Sequence, residues 1–253
     1  MQLTKRTRII AIAAVVALVA VAAPVVAITL VNQTAAATGV GLTLLDNAGV
    51  MIETRGVRIY VDPINLPSEY ENRPADAVLI THPHGDHYQP VSITMVQKEG
   101  TVNVFPANMT TEIALYSGVA VHPRDQVQVG HVRITAFFMS TPTSHPPEAN
   151  WTSYIIDIDG FTIFHAGDSK LLPQHSELAG TIDVALLPLG PGCQSMADME
   201  IVSAIAVLQA RYFVPIHFEA GADYTFIANY GSLITGCTIV HLSHFQSYNF
   251  RPT

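Results

Sequence analysis

The chain has 253 residues, enough for one large domain or two small ones with a sizeable core. At 49% hydrophobic and 13% charged residues it is apolar, yet not in the manner of a polytopic membrane protein, because much of the excess lies at its start. Beyond Val31, nine basic against 20 acidic residues leave a formal charge of −11, which excludes a broad polyanion-binding surface and argues against nucleic acid as a partner.

Residues 9–31 carry no charge and follow Lys5, Arg6 and Arg8. This is the length of a bilayer span, about 20 apolar residues, and exceeds the about 7–15 of a signal-peptide core. The pattern predicts a transmembrane helix within residues 1–31, acting as a membrane anchor. The basic flank places the N-terminus in the cytoplasm and the remainder outside it. Small residues at Ala35-Ala36-Ala37 keep a cleaved signal, and hence secretion, as the alternative. Residues 32–40 read as a linker and 41–253 as the folded domain. Triplets at Asn32, Asn108 and Asn150 match the N-glycosylation pattern and lend weak support to export. The sequence leaves open whether Cys193 and Cys237 pair.

Short strands are expected at 42–45, 50–53 and 57–61, separated by turn residues such as Asp46-Asn47 and Arg55-Gly56. A buried strand at 77–80 precedes a helix at 91–98, a strand at 102–105 and a helix at 110–117. Hairpins are expected at 127–138 around Gly130 and at 154–165 around Asp159-Gly160, with a proline-rich loop at 140–150 between them. A strand at 182–187 precedes a helix at 196–210, whose apolar positions are Met199, Val202, Ile205, Ala206 and Leu208. Strands at 213–216 and 238–241 close the chain. Strands in two batches with helices between them predict an α+β fold of two sheets packed face to face, helices outside.

The strand at 77–80 runs into Thr81-His82-Pro83-His84-Gly85-Asp86-His87-Tyr88. A polar turn accounts for Gly85 and Asp86 but not for three histidines. Packing does not account for them either, since imidazole and carboxylate are costly to bury without partners. Imidazole nitrogen and carboxylate oxygen do suit borderline metals such as zinc. Further candidates stand at later strand ends: His145, Asp168 and His217. Taken singly, these are an ordinary surface histidine, a turn aspartate and a core histidine.

The cluster fills the His-x-His-x-Asp-His motif of the metallo-β-lactamase superfamily at His82, His84, Asp86 and His87. Val61-Asp62-Pro63, His165-Ala166-Gly167-Asp168 and Val214-Pro215-Ile216-His217 extend the resemblance from about residue 41 to the C-terminus. They are most similar to the branch holding L-ascorbate-6-phosphate lactonase and many metal-dependent hydrolases. The resemblance implies a four-layer αββα sandwich. It also implies that His82, His84 and His145 hold one divalent ion, and Asp86, His87 and His217 a second, with Asp168 bridging. Zinc is the expected metal, with manganese and iron as alternatives. The implied enzyme is a hydrolase whose hydroxide, shared by the two ions, cleaves an ester, lactone, amide or phosphodiester bond. Asp86 is its candidate catalytic residue, and its substrate is a small or lipid-related molecule.

Asp62 and His165 are candidates to brace the ligands, and His241 and His244 to donate a proton to the leaving group. A non-catalytic, membrane-tethered metal-binding module is the first alternative. A redox diiron protein is the second, disfavoured because such relatives carry a carboxylate in place of His84 and an extra flavin domain.

Overall fold

The computed structural model describes residues 39–190 and 195–252. Among them no helix is long and apolar enough to cross a membrane. The anchor expected at 1–31 lies outside the described residues, as does Cys193.

The first sheet is built from β1 (Val40–Leu44), β2 (Val50–Thr54), β3 (Val57–Val61), β4 (Ala77–Leu79), β5 (Val102–Pro106) and β6 (Val119–Val121). The second contains β7 (Gln126–Val129), β8 (Val132–Phe138), β9 (Thr152–Ile158), β10 (Phe161–His165), β11 (Val184–Pro188), β12 (Tyr212–Ile216) and β13 (Thr238–Ile239). The final strand, β14 (Ser247–Phe250), returns to the first sheet. The orders are β14-β1-β2-β3-β4-β5-β6 and β13-β12-β11-β10-β9-β8-β7. Each batch begins as an antiparallel meander and continues in parallel, from β3 to β6 and from β10 to β13.

Alternation along the strands separates the layers. In β11, Val184 and Leu186 face the other sheet, where they join Ile52, Ile59 and Leu79 of the first sheet in one core. Ala185 and Leu187 face outward. There they meet α3 (Asp198–Leu208), with α4 (Ala222–Tyr230) supplying Phe226 to the same cluster. On the far side α1 (Pro90–Met95) and α2 (Thr110–Tyr116) flank a cluster of Met51, Tyr60, Val78, Ile93 and Phe105. Helices outside, two sheets within: the expected sandwich forms, and fully burying each Leu or Ile of its core contributes about 1.5–3 kcal/mol.

The structure differs from the expectation at several elements. The first helix is six residues long, opened by Pro90 at its first turn. In α3 the buried face is Ile201, Ala204, Ile205 and Leu208, an i, i+3, i+4, i+7 stripe. Met199, expected on that face, stands two residues before Ile201, on the opposite side of the helix, and is 53% exposed. The strands β6 and β14 and the helix α4 were not anticipated. The first two lie at sheet edges and leave two or three of their residues in solvent, so they lack the apolar alternation of an inner strand.

His175 is buried between the rings of Phe137 and Phe164, with centroids 6.3 and 5.3 Å away. Burial pushes its pKa down to about 4. The fold therefore favours the neutral imidazole. Its stability is unaffected above about pH 6.5 and falls as acid protonates the unfolded form more readily. His175→Phe is expected to remove roughly 2 kcal/mol of the loss between pH 8 and pH 5, each protein being referred to its own stability at pH 8. Urea melts of the metal-free proteins check this; parallel pH profiles would contradict it.

Candidate metal centre

Strand direction collects the site. The strands β1, β3 and β4 run parallel, so Asn47, Asp62 and His82 emerge at one end of the first sheet. The strands β8, β10 and β12 likewise share a direction, and the loops holding His145, Asp168 and His217 leave their C-terminal ends. All seven expected residues meet there, in two groups: His82, His84 and His145; Asp86, His87, Asp168 and His217.

Nε2 of His145 lies 3.2 Å from Nε2 of His82 and 3.2 Å from Nδ1 of His84. Nitrogens bound tetrahedrally to one zinc at about 2.0–2.1 Å are about 3.3–3.4 Å apart, so this spacing suits a shared ion. Asp168 faces both groups. Its Oδ2 is 3.5 Å from His145 Nε2 and 3.8 Å from His82 Nε2. Its Oδ1 is 3.0 Å from His87 Nε2 and 3.4 Å from His217 Nε2. Asp86 completes the second group, with Oδ2 3.3 Å from His217 Nε2 and 3.8 Å from His87 Nε2.

The surrounding hydrogen bonds fix which ring nitrogen is free. Asp62 is fully buried, and its Oδ2 accepts the Nδ1–H of His87 at 2.7 Å and the Thr81 hydroxyl at 2.6 Å. Its Oδ1 accepts the Thr81 N–H at 2.8 Å. Thr81 Oγ1, its proton committed to Asp62, accepts Nδ1–H of His82 at 3.0 Å. One carboxylate thus turns the Nε2 lone pairs of two histidines inward, one in each group. Thr141 Oγ1 meets His145 Nδ1 at 3.2 Å, and Ser195 Oγ meets His217 Nδ1 at 3.3 Å.

With its proton on Nδ1, His87 presents a lone pair to Asp168 Oδ1, acceptor against acceptor. His87 Nε2 and both oxygens of Asp168 are buried without a hydrogen-bond partner. Buried polar atoms are rarely left so. A cation, or a second proton on His87, relieves the arrangement. Without metal it is the proton: burial opposes charge on this imidazole, but Asp168 and Asp62 outweigh it and push its pKa up to about 10. His145, burial dominating, is pushed down to about 4, and His82 falls well below its ordinary value for the same reason. The contact with His217 holds the Asp86 carboxyl well below its usual range, against the opposing effect of burial. The residues fit divalent cations.

Left-handed backbone occurs at the site itself. His217 sits at φ 50°, and its N–H donates to Asn47 O at 3.1 Å, while Asn47 Nδ2 donates to Asp86 O at 2.9 Å. Gly167, before the facing carboxylate, has φ +56°; a Cβ there would lie 2.7 Å from Met139 Sδ and 3.2 Å from Thr81 Cβ. His165 braces that turn, accepting the Gly167 N–H on Nδ1 at 3.1 Å and donating Nε2–H to Ala48 O at 2.8 Å.

His241 instead pairs with Asp223 at 2.5 Å, and His244 lies 3.5 Å from Asp46 Oδ1. Neither is assigned a proton-donor role. Tyr88 packs with the cluster on the outer face of the first sheet. One neighbour went unnoticed in the sequence. Trp151 packs its ring against His82, His84 and His145, with centroids 5.3, 5.1 and 5.5 Å away. The N–H of Thr152 donating to Thr81 O at 3.1 Å holds it there.

The family model described as a beta-lactamase superfamily domain matches residues 41–217. A UPF0173 metal-dependent hydrolase of Pyrococcus furiosus is 32% identical over 197 residues, covering 71% of this chain and 85% of that one. A second, from Geobacillus, is 30% identical over 187 residues, covering 67% and 81%. The metallo hydrolase Igni18 of Ignicoccus hospitalis has the same fold, with a TM-score of 0.73 at 20% identity over 85% of this chain and all of that one. With the model matched through the whole stretch from the first strand to His217, the chain belongs to the beta-lactamase superfamily, beside its UPF0173 metal-dependent hydrolases.

Proposed function

We propose a binuclear metal-dependent hydrolase. In this reading His82, His84 and His145 hold one divalent ion, Asp86, His87 and His217 a second, and Asp168 bridges them. The observation that carries it is Asp168 itself: buried, unpartnered at both oxygens, and directed by one oxygen to each group. When bound, such ions supply Lewis acidity and lower the pKa of a coordinated water towards about 7. Zinc suits the imidazole-rich set, and manganese and iron are alternatives.

Asp86 is the exposed member of the set, its side chain 47% accessible. Kept ionised by His217, it accepts a hydrogen bond from the attacking water and orients it towards an ester, lactone, amide or phosphodiester. Asp62 and Thr81 hold His87 and His82 in the tautomers that leave Nε2 free. The apolar run at 9–31 supports attachment to a membrane with this domain outside the cytoplasm, or secretion after cleavage, and a small or lipid-related substrate.

A panel of carboxylic esters, lactones, phosphodiesters and lipid amides tests the reading. At least one class should be turned over by the zinc-reconstituted protein, lose turnover on chelation and regain it on adding metal back. Turnover indifferent to chelator would overturn the proposal.

A further inference from the structure

A cavity of about 260 Å³ is lined by Trp151, whose ring also packs against the candidate metal ligands His82, His84 and His145. Its walls include Phe138, Met139, Pro147 and Leu172 with the uncharged polar Asn150 and Gln174, and among the described residues no lining side chain is charged. In a domain with formal charge −11, a neutral apolar hollow beside a cluster of carboxylates and imidazoles is a selective feature. Its volume exceeds the about 150 Å³ that holds a benzene ring, and falls below the about 300–1,000 Å³ typical of whole-ligand pockets. It therefore suits one portion of a molecule.

The wall is tied to the candidate metal ligands. The Ser140 N–H donates to Ser169 Oγ at 3.3 Å, and the Lys170 N–H donates to Ser140 O at 3.0 Å, so the Met139–Ser140 segment is fixed to the turn carrying Asp168. Arg124, whose guanidinium lies 5.2 Å from the Phe138 ring centroid, is committed to Glu177 through contacts of 3.0 and 2.9 Å. It does not turn the cavity into an anion site.

We propose that this cavity is the recognition pocket for an uncharged apolar group, a single ring or a short alkyl or acyl chain, carried by the substrate next to the bond that is cleaved. The inference rests on the hydrolase reading for the second part of that statement, while the pocket itself is testable without turnover.

Trp151 is the only tryptophan in the chain, so its emission reports on this wall directly. The zinc-loaded full-length protein is titrated with 1-hexanol, benzyl alcohol and glycerol 3-phosphate. The two alcohols should each give a saturable emission change, and the phosphate none. Leu172→Glu, which places a charge in the wall, should weaken the alcohols at least about tenfold, whereas Leu172→Met should retain them. No saturable change, an equal response to the phosphate, or full retention in Leu172→Glu would overturn the pocket even if esters are hydrolysed. Saturable, Leu172-dependent binding supports it even if every ester in a chain-length series resists hydrolysis, an outcome that counts against the hydrolase reading alone.

Discussion

Asp168→Asn is expected to cost about a thousandfold in metal-dependent turnover and to leave the protein holding fewer ions. Asparagine keeps the shape of the side chain, so the core and the Gly167 turn are undisturbed. What it removes is the negative charge that lies 3.0–3.8 Å from four imidazole nitrogens, two in each group. A metal contributes several kcal/mol to transition-state stabilisation, and a few kcal/mol is roughly a thousandfold in rate. The amide also presents an N–H to one group, where a lone pair should stand. Metal content, turnover and a circular-dichroism spectrum together check the prediction. A folded variant with full metal content and full turnover would remove Asp168 from the bridge.

Asp62→Asn should act at one remove, lowering metal affinity about 10–100-fold with the fold retained. Three donors converge on this carboxylate: His87 Nδ1–H, the Thr81 hydroxyl and the Thr81 N–H. An amide offers one acceptor oxygen and must turn its N–H₂ towards the rest. If that group meets His87, the imidazole moves its proton to Nε2 and points N–H at Asp168 Oδ1, closing the lone pair that faces the centre. In that orientation it also takes away the acceptor of the Thr81 hydroxyl, and with it the tautomer of His82; in the other it meets the Thr81 N–H, donor against donor. Asparagine tolerates the backbone angle, φ 47° at this position, so the effect is electronic rather than steric. Competition with a zinc-chelating dye measures it, and wild-type affinity would contradict the account.

Much of this centre was legible because metal ligands break the rules of packing. Three imidazoles and a carboxylate within six residues have no place in a core, and a resemblance extended from them reached His145, Asp168 and His217, which the fold brings within 4.8 Å of their partners in each group. Strands rich in Val, Ile and Leu were equally plain, since burial on both faces leaves an apolar run. The supporting residues were less visible. Asn47, Thr141 and Ser195 each hold a candidate ligand through hydrogen bonds, and short polar residues in loops carry no spacing that marks such a duty. In the sequence Trp151 stands only as the middle of the Asn150 triplet, because its contact with three histidines depends on where β9 begins in space. On α3 the sequence picks out Ile205 and Leu208 of the buried face, but Met199 and Ala206 mimic apolar periodicity while standing in solvent.

The proposed hydrolase stands on two ions sharing one buried carboxylate, Asp168. Metal content by mass spectrometry, on full-length protein stripped with chelator and reloaded with zinc, tests it most directly. Two ions per chain are expected in the wild type, with a loss of at least one in Asp168→Asn. A wild-type protein that saturates at one ion or none would contradict it.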